Sequence, residues 1–158
     1  MDKKNINEKF MKEALKQAKK ASDKLEVPVG AIIVKDGKII ARAYNQKEYK
    51  KDTTNHAEIL AIKKASKKIG SWRLLNCDMY VTLEPCSMCA GALIQSRIRK
   101  VYIGAMDKKT GACGSVLNLL EDYKFNHYVE SERGILQEEC EKTLKEFFKN
   151  LRESKKNK

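Results

Sequence analysis

Two short segments of this chain carry metal-ligand spacing. One is His56-Ala57-Glu58, and the other is Pro85-Cys86-Ser87-Met88-Cys89, whose first cysteine comes thirty residues after His56. A lone C-x-x-C pair is a weak signal, but a histidine and a carboxylate in step with such a pair form a specific combination. Any fold of this chain that uses the combination has to bring the two segments to one point.

Both segments are expected to begin helices. Apolar spacing predicts one helix from about His56 to Lys68, and Pro85 suits the first position of another that begins near Pro85-Cys86. Free N–H groups and the positive end of the helix dipole stabilise thiolates, which are the form that binds metal. Two facing helix N-termini would therefore place the thiols of Cys86 and Cys89 opposite the side chains of His56 and Glu58.

The remaining apolar patterns predict strands that alternate with helices. Asp36-Gly37 is a strong signal for a hairpin between strands over 31–34 and 38–43. Further strands are predicted over 79–83, 101–104 and 127–130, and further helices over 10–21, 116–120 and 136–151. We expect Cys140, Leu144, Phe147, Phe148 and Leu151 on the buried side of the last helix. This order implies an α/β fold, a three-layer α/β/α sandwich around a mixed five-stranded sheet, with sites at the carboxyl ends of strands.

Length and composition predict one domain over residues 1–152, followed by a basic C-terminal tail over 153–158. We find no apolar run near the length of a membrane span and no signal-like core, so we expect a cytoplasmic protein without a membrane partner. Five cysteines, an odd number, argue against a disulfide framework. The net charge of +12 makes nucleic acid a candidate partner, although lysine-rich composition alone could also produce this charge.

His56, Cys86 and Cys89 are candidate ligands for one zinc ion per chain, which mixed thiolate and imidazole donors favour. Three protein ligands leave the fourth tetrahedral position open for water, as in catalytic sites. Glu58 is the candidate general acid and base, although a carboxylate in the first turn is also simply favourable to the helix dipole. Other possible donors lack ligand-like spacing to the pair, so we expect them to be ordinary residues: Cys77, Cys113, Cys140 and His127.

H-x-E followed by P-C-x-x-C is the signature of zinc nucleobase deaminases. From the first helix to Phe148 the chain resembles the bacterial tRNA-specific adenosine deaminases, which have a cytidine deaminase-like fold. The general resemblance lies in Glu26–Ala31, Asn55–Ile59, Tyr80–Cys86 and Met88–Ala92, and the segments that point to the tRNA branch are Lys109–Ala112 and Asn126-His127.

The resemblance implies a homodimer that converts adenosine to inosine at the wobble position of a tRNA anticodon. The resemblance also implies roles for individual residues. His56, Cys86 and Cys89 would hold zinc, and Glu58 would shuttle protons. Asn45 would hydrogen-bond the flipped adenosine, and the residues that would wall or flank its pocket are Val27, Pro28, Leu83 and Asp107.

Two alternatives stay open at this point. A related deaminase that acts on free guanine, cytosine or cytidine would share every zinc residue but would not need a basic rim. A non-catalytic zinc-stabilised binding module would not need Glu58. Gln46 and Met106 depart from the family pattern beside presumed RNA-contacting positions, which affects the fine substrate contacts. Phe147 and Phe148 could support the RNA surface or belong to the core.

Overall fold

The computed structural model describes residues 2–157 of the chain. Five strands form one mixed sheet with the order β2-β1-β3-β4-β5. The strands are β1 (Gly30–Lys35), β2 (Lys38–Tyr44), β3 (Cys77–Leu83), β4 (Lys100–Ala105) and β5 (Glu130–Arg133). β1 runs antiparallel to β2 and β3, whereas β3, β4 and β5 are mutually parallel. The predicted α/β fold with a mixed five-stranded sheet is confirmed.

Helices cover both faces of this sheet. They are α1 (Lys3–Asp23), α2 (Lys47–Lys50), α3 (Ala57–Ile69), α4 (Ser87–Gln95) and α5 (Gln137–Lys156). Helices α1 and α5 lie on one face, and α3 and α4 lie on the other. Within residues 2–157, no helix combines the length and the apolar character needed to cross a membrane.

Strand β1 shows why the sheet needs both helical layers. Ala31 and Ile33 point into the core shared with α3 and α4, while Ile32 and Val34 point into the core shared with α1 and α5. Period-two alternation of an almost wholly apolar strand therefore builds two cores at once. Helix α1 packs closely on this strand, because a Cβ atom at Gly30 would collide with its backbone.

The hairpin between β1 and β2 is confirmed. Asp36 and Gly37 both have positive φ angles, 51° and 75°, as a type I′ turn requires. Asparagine, aspartate and glycine tolerate this conformation best, so the dipeptide fixes the connection locally. Sequence alone could therefore predict the turn.

The predicted helix over 116–120 is wrong. The segment forms turns, and Cys113 and Asn118 make an isolated β-bridge. The side-chain Oδ1 of Asn118 accepts hydrogen bonds from the amides of Leu120 and Glu121, at 3.1 and 3.2 Å. Such local side-chain bonds compete with the i to i+4 bonds of a helix.

The last strand lies at Glu130–Arg133, three residues beyond the predicted 127–130. The Nε2 atom of His127 instead lies 2.7 Å from the carbonyl oxygen of Ile98, three residues before the strand begins. Pairing with β4 starts only where Glu130 lies opposite Lys100.

Helix α5 buries fewer of its apolar side chains than predicted. Cys140 and Phe147 are buried, Leu144 and Leu151 are half-buried, and Phe148 is 39% exposed. Adjacent helical positions point about 100° apart, so two successive phenylalanines cannot both face one core. The helix continues through Lys156, and the side chains over 153–156 are exposed.

Candidate metal centre and active site

Two helix N-termini face each other at one end of the molecule. His56 is the N-cap of α3, and Cys86 is the N-cap of α4, both with extended backbone. Neither side chain makes a capping hydrogen bond to its own helix, so both are free to point beyond it. Helix α4 begins at Ser87, just after the predicted start, because Pro85 precedes the cap instead of occupying the first helical position.

The three predicted ligand residues meet at this point. Their ligand atoms all lie within 4.8 Å of one another. The Nδ1 atom of His56 lies 3.7 Å from Sγ of Cys86 and 3.5 Å from Sγ of Cys89. Tetrahedral zinc, with bonds of about 2.3 Å to sulfur and 2.0–2.1 Å to nitrogen, needs N···S separations of about 3.6 Å. The donor set and its spacing therefore fit zinc.

The charges of this cluster are organised around the Cys86 thiolate. The hydrogen bond from the Cys89 thiol, helped by His56 and by the Cys89 amide, lowers the pKa of Cys86 to about 4. The same bond raises the pKa of Cys89, which serves as the donor to the thiolate. His56 has a raised pKa because the Cys86 thiolate accepts its proton in a hydrogen bond. One sulfur is thus already anionic without a metal, which is the state that a metal ion requires.

Glu58 lies in the first turn of α3 beside these ligands and is only 4% exposed. Burial is the main cause that raises its pKa to about 7. A carboxyl group with that pKa can both give and take a proton at neutral pH, as a general acid and base must.

A cavity of about 170 Å³ opens onto the cluster. Four of the five predicted substrate-binding residues line it, namely Val27, Asn45, Leu83 and Asp107. Pro28 is buried and is not among the lining residues. Sequence reasoning missed the lining residues Val29, Lys47, Ala57, Glu84 and Thr110.

One wall of the cavity is held by short polar bonds between loops. The Nδ2 of Asn45 donates to the Val27 carbonyl at 3.2 Å, and its Oδ1 accepts from the Lys47 amide at 3.2 Å. The buried carboxylate of Glu26 accepts the amides of residues 48 and 49, at 3.0 and 2.7 Å. These bonds fix the segment that carries Asn45 and Lys47 against the loop that carries Val27, just before β1.

The opposite wall is the segment that carries Asp107. Its carboxylate accepts the amides of Lys109 and Thr110, at 3.0 and 3.2 Å, and the Thr110 hydroxyl at 2.7 Å. The half-buried Asp107 therefore sits in a tight turn at the cavity mouth, with Thr110 beside it.

The other cysteines and His127 are not members of the cluster. In the part of the chain that the structure describes, no second group of three histidine, cysteine or acidic residues has metal-like spacing. Cys77, Cys113 and Cys140 are buried with raised pKa values, of which burial is the main cause. Their surroundings agree with the expectation that they are ordinary core thiols.

Comparisons with known proteins point to deaminases. Residues 5–152 match the family of MafB19-like deaminases. The tRNA-specific adenosine deaminase of Bacillus subtilis (strain 168) is 51% identical over 150 residues, which cover 95% of this chain and 93% of that protein.

Two solved structures are also similar. A tRNA:A34 deaminase, studied for A-to-I editing at the wobble position of transfer RNA, superposes with a TM-score of 0.83 at 41% identity, covering 86% of this chain and 99% of that one. A guanine deaminase from Bacillus subtilis superposes with a TM-score of 0.62 at 39% identity, covering 67% of this chain and 66% of that one.

The low pKa of Cys86 predicts a selective thiol reaction in metal-free protein. Above its pKa of about 4 Cys86 is a thiolate, and it is half-exposed, so iodoacetamide should modify it first at pH 6. Timed alkylation between pH 5 and 8, followed by peptide mass spectrometry, measures the rate. An increase of about tenfold per pH unit, as for an ordinary thiol, would contradict the prediction. The Cys86→Ser variant serves as the control.

Proposed function

This chain belongs to the MafB19-like deaminases and to the family of tRNA-specific adenosine deaminases, and we propose that it converts adenosine to inosine at the wobble position of a tRNA anticodon. The observation that carries the proposal is the meeting of His56, Cys86 and Cys89 beside a buried Glu58 in one cavity. An open three-ligand set with its own proton carrier supports catalysis and has no use in a purely structural zinc module.

Zinc is the proposed cofactor, one ion per chain. Two sulfur donors and one imidazole suit zinc, and their separations fit its tetrahedral bonds. His56 Nδ1, Cys86 Sγ and Cys89 Sγ would hold the ion. When bound, zinc supplies Lewis acidity, which lowers the pKa of water toward neutrality.

Glu58 is proposed to move the protons of the reaction. It takes a proton from the attacking water molecule, whose oxygen bonds to C6 of adenine, and delivers a proton to N1 of the ring. Glu58 next takes the proton of the new C6 hydroxyl and passes it to the exocyclic amine, so that the C6–N bond breaks, ammonia leaves and C6 becomes the carbonyl carbon of inosine. One water is consumed for each inosine formed, and the Glu58 carboxyl returns to its starting state.

The residues that line the cavity suit a nucleobase as the part of the substrate that enters it. Val27 and Leu83 offer apolar contact, Asn45 offers an amide, and Asp107 and Lys47 add charged groups to the lining. We propose these roles for them, with Pro28 supporting Val27 from behind. An anticodon loop is already unpaired, so extruding its base costs little, and the net charge of +12 favours the phosphates of its stem.

Two further properties are part of the proposal. A tRNA substrate implies a cytoplasmic location. A homodimer is supported by α4, where Met88, Gly91 and Ala92 are half-buried and leave a face of mostly small residues free for a second copy. Sedimentation equilibrium should give twice the mass of one chain, and a purely monomeric protein at micromolar concentration would contradict the dimer.

The substrate prediction is tested by comparing several candidate substrates. Zinc-loaded protein is given a tRNA anticodon stem-loop, and in parallel free adenosine, guanine, cytosine and cytidine. We expect the protein to recognise the adenosine together with the adjacent nucleotides of the anticodon. Inosine should therefore form only in the stem-loop, and nuclease digestion with mass spectrometry measures it. Turnover of guanine or another free substrate alone would favour the related free-base activity instead.

The role of Glu58 is tested by Glu58→Gln and Glu58→Ala. Removing the proton carrier should lower kcat by about 10²- to 10⁴-fold or more. Bound zinc, measured by atomic emission, should stay near one ion per chain, because Glu58 is not among the proposed ligands. Loss of zinc in these variants would show that Glu58 is a ligand, and Cys86→Ser provides the matched variant that should lose the metal.

A further inference from the structure

Glu84 is a buried acid that the chemistry above does not use. It lies between Leu83, the last residue of β3, and Pro85, and only 3% of it is exposed. Its Oε1 accepts the amide of Asp107 at 2.8 Å and the hydroxyl of Ser115 at 2.5 Å. Its Oε2 accepts the amides of Cys113 and Ser115, both at 3.0 Å. One carboxylate thus binds three amides and one hydroxyl.

All four donors belong to one segment, residues 107–115, which we name the rim loop. Charge-assisted hydrogen bonds to a buried carboxylate are stronger than neutral ones and hold their geometry well. The carboxylate ties both ends of the rim loop to the same point, so the loop closes around Glu84.

Glycine at position 111 is adapted to this arrangement. A Cβ atom there would collide with the Glu84 carboxyl group and with the Asp107 carbonyl. The φ of Gly111 does not require glycine, since it is not among the positive values. The need for glycine therefore comes from the close approach of the loop backbone to the carboxylate.

The rim loop connects directly to the catalytic centre. Cys86 and Gly111 form an isolated antiparallel bridge, and the Ala112 amide donates to the Pro85 carbonyl at 2.9 Å. The same loop supplies Asp107 and Thr110 to the cavity. Glu84 therefore stands between a proposed metal ligand and the residues at the cavity mouth.

We infer that Glu84 is a positioning residue, which holds the rim loop so that Asp107 and Thr110 face the nucleotides beside the reacting base. The kinetic part of this inference rests on the proposed function. Glu84 need not touch substrate, because it acts through the backbone amides of the loop. Its loss should weaken substrate binding more than it slows the chemical step.

The test variant is Glu84→Gln, which keeps the size of the side chain. A carboxamide has one acceptor oxygen, and its NH₂ group would face N–H donors, so either orientation loses two of the four bonds. We expect hydrogen exchange of the amides of Asp107, Cys113 and Ser115 to accelerate by at least about tenfold. KM for the stem-loop should rise by about tenfold, and kcat should change less.

Three comparison variants separate positioning from general damage. Ser115→Ala removes only the hydroxyl donor and should shift exchange and KM in the same direction, but less. Gly111→Ala pushes on the carboxylate from the loop side, and its effect should not add to that of Glu84→Gln. Glu121→Gln changes an exposed acid outside the rim loop and should leave both measurements unchanged. All variants should keep one zinc per chain.

Two outcomes would overturn the inference. One is unchanged exchange of the rim-loop amides in Glu84→Gln and Ser115→Ala. The other is a fall in kcat alone, or loss of zinc, which would assign Glu84 to the chemical step or to the metal site. The exchange experiment needs no substrate, so it tests the positioning even if stem-loop deamination fails. If Glu84→Gln does not fold, Ser115→Ala still decides, because it leaves the buried charge in place.

Discussion

The site depends on one constraint, which is that α3 and α4 begin at the same point. His56 and Cys86 are their N-caps, and the free N–H groups of both helices surround the cluster. Anionic sulfur is favoured there: hydrogen bonds from the Cys89 thiol, from His56 and from the Cys89 amide lower the pKa of Cys86 to about 4, and helix N-termini favour negative charge in the same way. A metal cation in the same place is then balanced by thiolate charge. The sheet has to hold both helices on one face, and the apolar strands β1, β3 and β4 provide the surface for this.

Much of the fold could be predicted because its signals are local. The turn at Asp36-Gly37 and the apolar alternation of β1 each determine their structure within a few residues. The prediction failed over 116–120, where the Asn118 side chain replaces the hydrogen bonds of a helix. It also placed β5 three residues too early, since the strand begins where Glu130 pairs with Lys100 of β4, a partner thirty residues away in sequence.

The residues of the site also differ in whether a local sequence pattern reveals them. His56, Glu58, Cys86 and Cys89 were found because their spacing is itself a chemical pattern. Glu84 was missed because its four partners are donors of residues 107–115, and backbone amides carry no sequence signature. A signal did exist, since Glu84 is an acid placed directly between an apolar strand and Pro-Cys. A charge at such a position has to be buried and therefore needs donors from elsewhere in the chain.

Two buried glutamates, Glu58 and Glu84, line the cavity, a third, Glu26, holds a segment of its wall, and their environments suit different tasks. Glu26 and Glu84 each accept two or more backbone or hydroxyl donors, so their positions are fixed and each fixes a loop. Glu58 is equally buried, but burial outweighs its favourable contacts, and its pKa rises to about 7. Glu26 and Glu84 are held by hydrogen bonds from the loops that they anchor, whereas a Glu58 carboxyl with a pKa of about 7 can exchange a proton near neutral pH. The same residue type therefore holds a loop in place at two positions and, in the proposed reaction, transfers protons at the third.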